Sequence, residues 1–64
     1  MKRADAQKAI DEAFAEGIKR LFDFLVENLE VETPEALKRF TNGIAKHDEA
    51  HTKASAAIDK IFPE

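Results

Sequence analysis

The residues of this sequence best suited to chemistry are two histidines, His47 and His51. Four positions apart, they share one face of a helix and can present two imidazoles to a divalent metal. Asp48 and Glu49 lie at least about 60° round the helix from that face, so further ligands must come from elsewhere. Asp11, on the edge of the N-terminal apolar pattern, is the best-placed carboxylate. The candidate metal set is therefore His47, His51 and Asp11. The competing reading of the same pair is two packed, hydrogen-bonded neutral histidines. Ser55 stands four residues after His51, but no oxyanion site or positioned acid accompanies it. There is no glycine-rich phosphate loop and no cysteine nucleophile. The chain reads as non-enzymatic, with no cofactor beyond a divalent metal at the histidine pair.

The histidines belong to a longer stripe: Leu37, Phe40, Ile44, His47, His51, Ala54, Ile58 and Ile61. Its steps of three and four residues give a seven-residue repeat on one helix. The N-terminal part holds a second helical pattern. Ala6, Ile10, Ala13, Phe14, Gly17, Ile18, Leu21, Phe24, Leu25 and Leu29 form its stripe, and Phe22 and Val26 widen it on one side. The apolar arc covers roughly half the circumference, more than one neighbouring helix can hide. Asn28 also falls inside this stripe, where a buried amide would fix register or a frayed end would expose it.

Between the patterns stands Thr33-Pro34-Glu35. Thr33 suits an N-cap, Pro34 the first helical position, and Glu35 the first turn, where the helix dipole favours an anion. The spacing predicts helices over about 4–30 and 34–62, a turn at about 31–33, and a stop at Pro63. So short a connection makes the helices antiparallel neighbours. With the turn centred near Glu32, His47 falls opposite Gly17 and Ile18, and His51 falls beside Phe14, with Asp11 one turn away. Gly17 would leave room for an imidazole. Asn42-Gly43 is a turn signal, yet the seven-residue phase passes through it unbroken, which favours one continuous helix over a three-helix bundle broken there.

Two further series repeat every seven residues. Ala36, Gly43, Ala50 and Ala57 are small and would let a helix approach closely. Arg39, Lys46, Lys53 and Lys60 are basic, either a stripe for a phosphate polymer or a solvated flank facing acidic neighbours. No aromatic residue stands among them to stack a base.

A chain of 64 residues makes one domain at most, here 1–64, and rarely builds a sufficient core alone. With no cysteine, disulfides and zinc–thiolate sites are excluded. A net charge of −3 with both signs interspersed does not mark a nucleic-acid binder. No apolar run approaches the ~20 residues of a membrane span, and no signal peptide is evident, so a cytoplasmic protein is expected.

Two long helices and one tight turn in this length resemble, in layout, the Rop family of small plasmid RNA-binding hairpins. That resemblance implies an antiparallel four-helix bundle of two chains and, as one functional alternative, RNA binding. The residues themselves lead to an all-α antiparallel hairpin, associating as a homodimeric four-helix bundle. Its expected interface is Phe14, Leu21, Leu25, Phe40, Ile44, Ala50, Ala54 and Ile58. The expected function is a small protein-interaction or assembly module, with a protein partner the sequence cannot name. The alternatives are a metal-binding bundle and the RNA-binding hairpin.

Overall fold

The computed structural model describes residues 1–29 and 34–62, and within them two helices: α1, Arg3–Glu27, and α2, Pro34–Ile61. They pack against each other as an antiparallel hairpin. Cross-helix partners run in opposite directions along the two helices: Arg3 with Asp59, Gln7 with Ser55, Asp11 with His51, Gly17 with His47, and Gly43 with Leu21. The expected turn at 31–33, the Thr33 cap and the Pro63 stop lie outside the described residues.

The helix ends follow from local chemistry. At the start of α1 the Lys2 carbonyl accepts from the Asp5 and Ala6 amides at 3.0 and 3.1 Å. Asp5 answers by accepting the Lys2 backbone N–H at 3.3 Å, half of a reciprocal capping arrangement at the positive end of the helix dipole. At the other end α1 stops at Glu27, earlier than the expected position near 30. The reason is Asn28: its backbone N–H reaches the Phe24 and Leu25 carbonyls at 3.1 Å, and its side-chain amide donates to the Phe24 carbonyl at 2.7 Å. Of the two readings of Asn28, the helix-end one fits: its side-chain amide satisfies a carbonyl of its own helix end.

α2 runs its 28 residues without a break, Asn42-Gly43 included. Gly43 has a packing reason to be there. A Cβ at this position would stand 2.6 Å from Leu21 Cδ2. The ~1 kcal/mol that glycine costs a helix is offset by the close approach of α1.

The seven-residue stripe does not stay in the seam over its whole length. A straight α-helix falls about 20° short of a true seven-residue repeat at each turn of that repeat. That drift, about 60° over three repeats, adds to the roughly 60° between the two edges of the stripe, so Leu37 and Ile61 end roughly 120° apart. They leave the seam on opposite sides and are 59% and 68% exposed. The small-residue series drifts in the same sense: Ala36 is buried, Gly43 half-buried, and Ala50 and Ala57 are exposed.

The hairpin measures 49 × 15 × 9 Å, one layer of helix. Its buried residues, Ala6, Ala36 and Ile58, all lie along the seam. None of the described side chains is wholly enclosed. A single layer leaves two broad faces open, and these position everything that follows.

Candidate functional site

Both histidines stand in the seam at mid-length, because the antiparallel register sets them across from the narrowest part of α1. The His47 ring lies over Gly17, where a Cβ would come within 2.6 Å of Cε1 and 2.8 Å of Nδ1. One helical turn on, the His51 ring meets Phe14 with centroids 4.8 Å apart and planes tilted by 44°, a favourable aromatic separation. His51 Nε2–H donates to Asp11 Oδ1 at 2.7 Å. Gln7 supports the same carboxylate, its amide donating to Asp11 Oδ1 at 2.9 Å and to Ser55 Oγ at 3.1 Å. These contacts hold the Asp11 carboxyl below its ordinary value of 3.8: the His51 hydrogen bond acts most strongly, then that of Gln7.

The three residues of the candidate metal set are thus neighbours with different commitments. Asp11 accepts the hydrogen bond from Nε2–H of His51, so a ligand at His51 would have to use Nδ1. His47 spends its ring on Gly17. Among the described residues of one chain, no group of three His, Asp or Glu side chains is arranged to hold a metal ion.

The two faces of the hairpin differ. On one, Ile10, Ala13, Phe14, His47, Ala50, His51 and Ala54 line an open groove of about 240 Å³. Ala57 and Ile61 continue this groove face toward the free end by helical phase. The other face carries the Gln7–Ser55 and Asp11–His51 links at its free end. Toward the end where the chain passes from α1 to α2 it bears large apolar side chains. Phe22 is 56%, Val26 49% and Leu29 59% exposed, joined by Leu37 from α2. Ile18, Leu25 and Ile44 lie half-buried at the edge of this Phe22 face.

The residues expected at an interface divide accordingly. Leu21 packs on Gly43 and Phe14 on His51, inside the seam of one chain. Ile58 is buried and Phe40 half-buried on the seam side of α2. Ala50 and Ala54 border the groove, and Leu25 and Ile44 border the Phe22 face. In the basic series, Lys53 pairs with Glu49 of its own helix at 3.1 Å.

Comparison with known proteins adds no relative. No protein-family model, curated protein or solved structure matches this chain. The geometry must therefore carry the functional reading, and it shows a hydrogen-bonded cluster beside a large exposed apolar face. Neither α1 nor α2 is long and apolar enough to cross a membrane.

Residue types alone did not mark Arg3, Gln7 or Asp59, and they placed Ser55 only beside His51 on its own helix. All four are surface residue types outside any apolar repeat. Their one signal is position: each falls one step beside a seam residue, at levels the antiparallel register brings together.

Proposed function

We propose that this protein is a small non-enzymatic assembly module that works as a homodimer, two hairpins closing face to face into a four-helix bundle. The observation that carries the reading is exposed area. A folded monomer of this mass leaves about 4,100 Å² accessible, whereas the hairpin leaves 5231 Å². The excess, about 1,100 Å², is slightly more than the ~800 Å² that each partner contributes to a standard interface. The excess is apolar in the right place, on Phe22, Val26, Leu29 and Leu37. Contiguous apolar surface of this kind is the mark of an association site. The described side chains supply no general base paired with a nucleophile, and the imidazoles are engaged in packing and in the Asp11 link. The protein acts through the surface it presents and the copies it joins.

Sedimentation equilibrium at micromolar concentration, with helicity followed on the same samples, tests this. A dimer mass that dissociates on dilution together with a loss of helix is expected. A fully helical species of monomer mass across the concentration range would overturn the reading.

A further inference from the structure

Granting that the chain dimerises, the two faces of the hairpin dictate which surface is used and in which direction the copies run. We infer that the Phe22 face docks on the Phe22 face of a second copy, with both hairpins pointing the same way about a two-fold axis parallel to the helices. This differs from the antiparallel arrangement that the Rop-like layout implies.

Side chains are unevenly distributed along this face. Its apolar half, from Ile18 to Leu29 on α1 with Leu37 and Ile44 on α2, lies at the end where α1 passes into α2. Its other half is polar, with Asp11 held by His51 and Gln7, and Asp59 held by Arg3. A two-fold axis across the helices, centred on the hairpin, would lay the apolar half of each copy on the polar half of the other. Phe22 would then meet the level of Asp11, and Leu37 the level of Asp59. Burying carboxylates against phenyl rings costs more than the apolar contact returns. An axis along the helices instead keeps every residue at its own level. It sets α1 of each copy over α2 of the other, apolar half on apolar half and polar half on polar half.

The rims of the face are charged in a way that suits this arrangement and not the alternative. Lys8 and Lys19 edge the face on α1, while Asp48 and Asp59 stand on it along α2. Because Gly17 is level with His47, Lys19 lies within about one turn of the level of Asp48. Because Arg3 meets Asp59, Lys8 lies about 7.5 Å along the helix from the level of Asp59, beyond one turn. With α1 over the partner's α2, Lys19 comes opposite Asp48. With α1 over α1, Asp48 instead falls level with Asp48 of the other copy. An isologous two-fold contact needs such self-complementarity.

The chain has no cysteine, so a single Lys60→Cys variant carrying a nitroxide reports one intermolecular distance. Lys60 is exposed at the free end of α2 and belongs to neither rim of the Phe22 face. Pulsed dipolar spectroscopy on the dimer should give about 25 Å if the hairpins run the same way, a distance set by helix diameters alone. Copies running oppositely place the labels at about 40 Å or more by the helical rise, in a molecule 49 Å long. A dimer with the long distance overturns the present inference and leaves the dimer reading standing. A monomer with no dipolar signal removes the dimer itself, and this inference with it. Charge reversal provides a second readout. Lys19→Glu and Asp48→Lys should each weaken the dimer about fivefold, as rim pairs do. The two changes together should restore it, and failure of the double variant to recover would also overturn the inference.

Discussion

The two halves of the hairpin are held by different physics. At the free end three polar links cross between the helices: Arg3 to Asp59, Gln7 to Ser55, and His51 to Asp11. Toward the other end, the hydrogen bonds of Thr41 and Asn28 stay within their own helices, to Leu37 and Phe24. There, contact between α1 and α2 rests on side chains such as Leu21 against Gly43. Hydrogen bonds are directional and break if the helices slide by one residue, but each contributes only about 0.5–1.5 kcal/mol. Apolar contact tolerates sliding yet scales with area. One half therefore sets the register of the pair, and the other holds most of the surface still seeking cover. A division of labour follows: register of the hairpin at one end, exposed apolar surface at the other.

The largest effect should come from placing a charge in the unpartnered half. Phe22→Asp introduces a carboxylate where a phenyl ring is 56% exposed in the single hairpin. Full burial of such a ring is worth about 1.5–3 kcal/mol, and a two-fold dimer contains it twice. The dimer should weaken by about two orders of magnitude or more in sedimentation equilibrium. Ala57→Asp, on the groove face, is the control and should leave the mass nearly unchanged. Equal losses from both substitutions would erase the distinction between the faces.

How much of this could be read from residue types is instructive. Continuity of α2 through Asn42-Gly43 was legible, because the repeat keeps phase across the pair and Leu21 gives the glycine a purpose. The neighbourhoods of His47 and His51 were legible too, since counting outward from a turn near Glu32 reaches Gly17 and Phe14. The drift of the stripe was not. A list of apolar positions seven apart looks straight on paper, while the helix carries Leu37 to one face and Ile61 to the other. Nor were the polar links: nothing periodic marks Gln7 or Ser55, and only their common level in the folded hairpin joins them. Asn28 was legible only as a choice between core and helix end, and the helix end is where it stands. Its stripe position says core, but an amide one residue past the last helical turn has orphan carbonyls within reach.

A smaller effect compares the two glycines that narrow the seam. Gly43→Ala must displace the Leu21 methyls, the far end of a flexible side chain. The helix gains about 1 kcal/mol from replacing glycine, so this variant should be near neutral in thermal melts. Gly17→Ala meets the flat His47 ring at 2.6 Å instead. Relief there requires the ring to leave its place, and overpacking of that kind costs about 1–3 kcal/mol before the same gain is subtracted. A net loss of up to about 2 kcal/mol is expected, with His47 ring resonances shifted by NMR. If both variants prove equally benign, the seam beside the polar half is as plastic as the apolar half, and the contrast between them weakens.

The smallest effect isolates one link of the polar half by its pH dependence. Asp11 is held below its ordinary value of 3.8 by the hydrogen bonds from His51 and Gln7. A group whose folded value is depressed stabilises the fold above its unfolded value and loses that contribution as pH falls through the folded one. The Asp11 contribution should therefore be whole at pH 5 and above. It should fade below pH 3.8 as the carboxyl takes a proton and stops accepting from His51. Asp11→Asn keeps the shape and removes the titration. Melts of the two proteins should differ by a constant amount above pH 5 and converge below 3.8, the variant showing the shallower acid slope. Because Asp11 is more than half exposed, the difference is small and is best read from the convergence of the curves rather than from their size. Parallel curves through the acid range would mean that the Asp11–His51 contact is not maintained in solution. Register would then rest on Arg3–Asp59 and Gln7–Ser55 alone, both nearer the free end, and the polar half would hold the pair only at its tip.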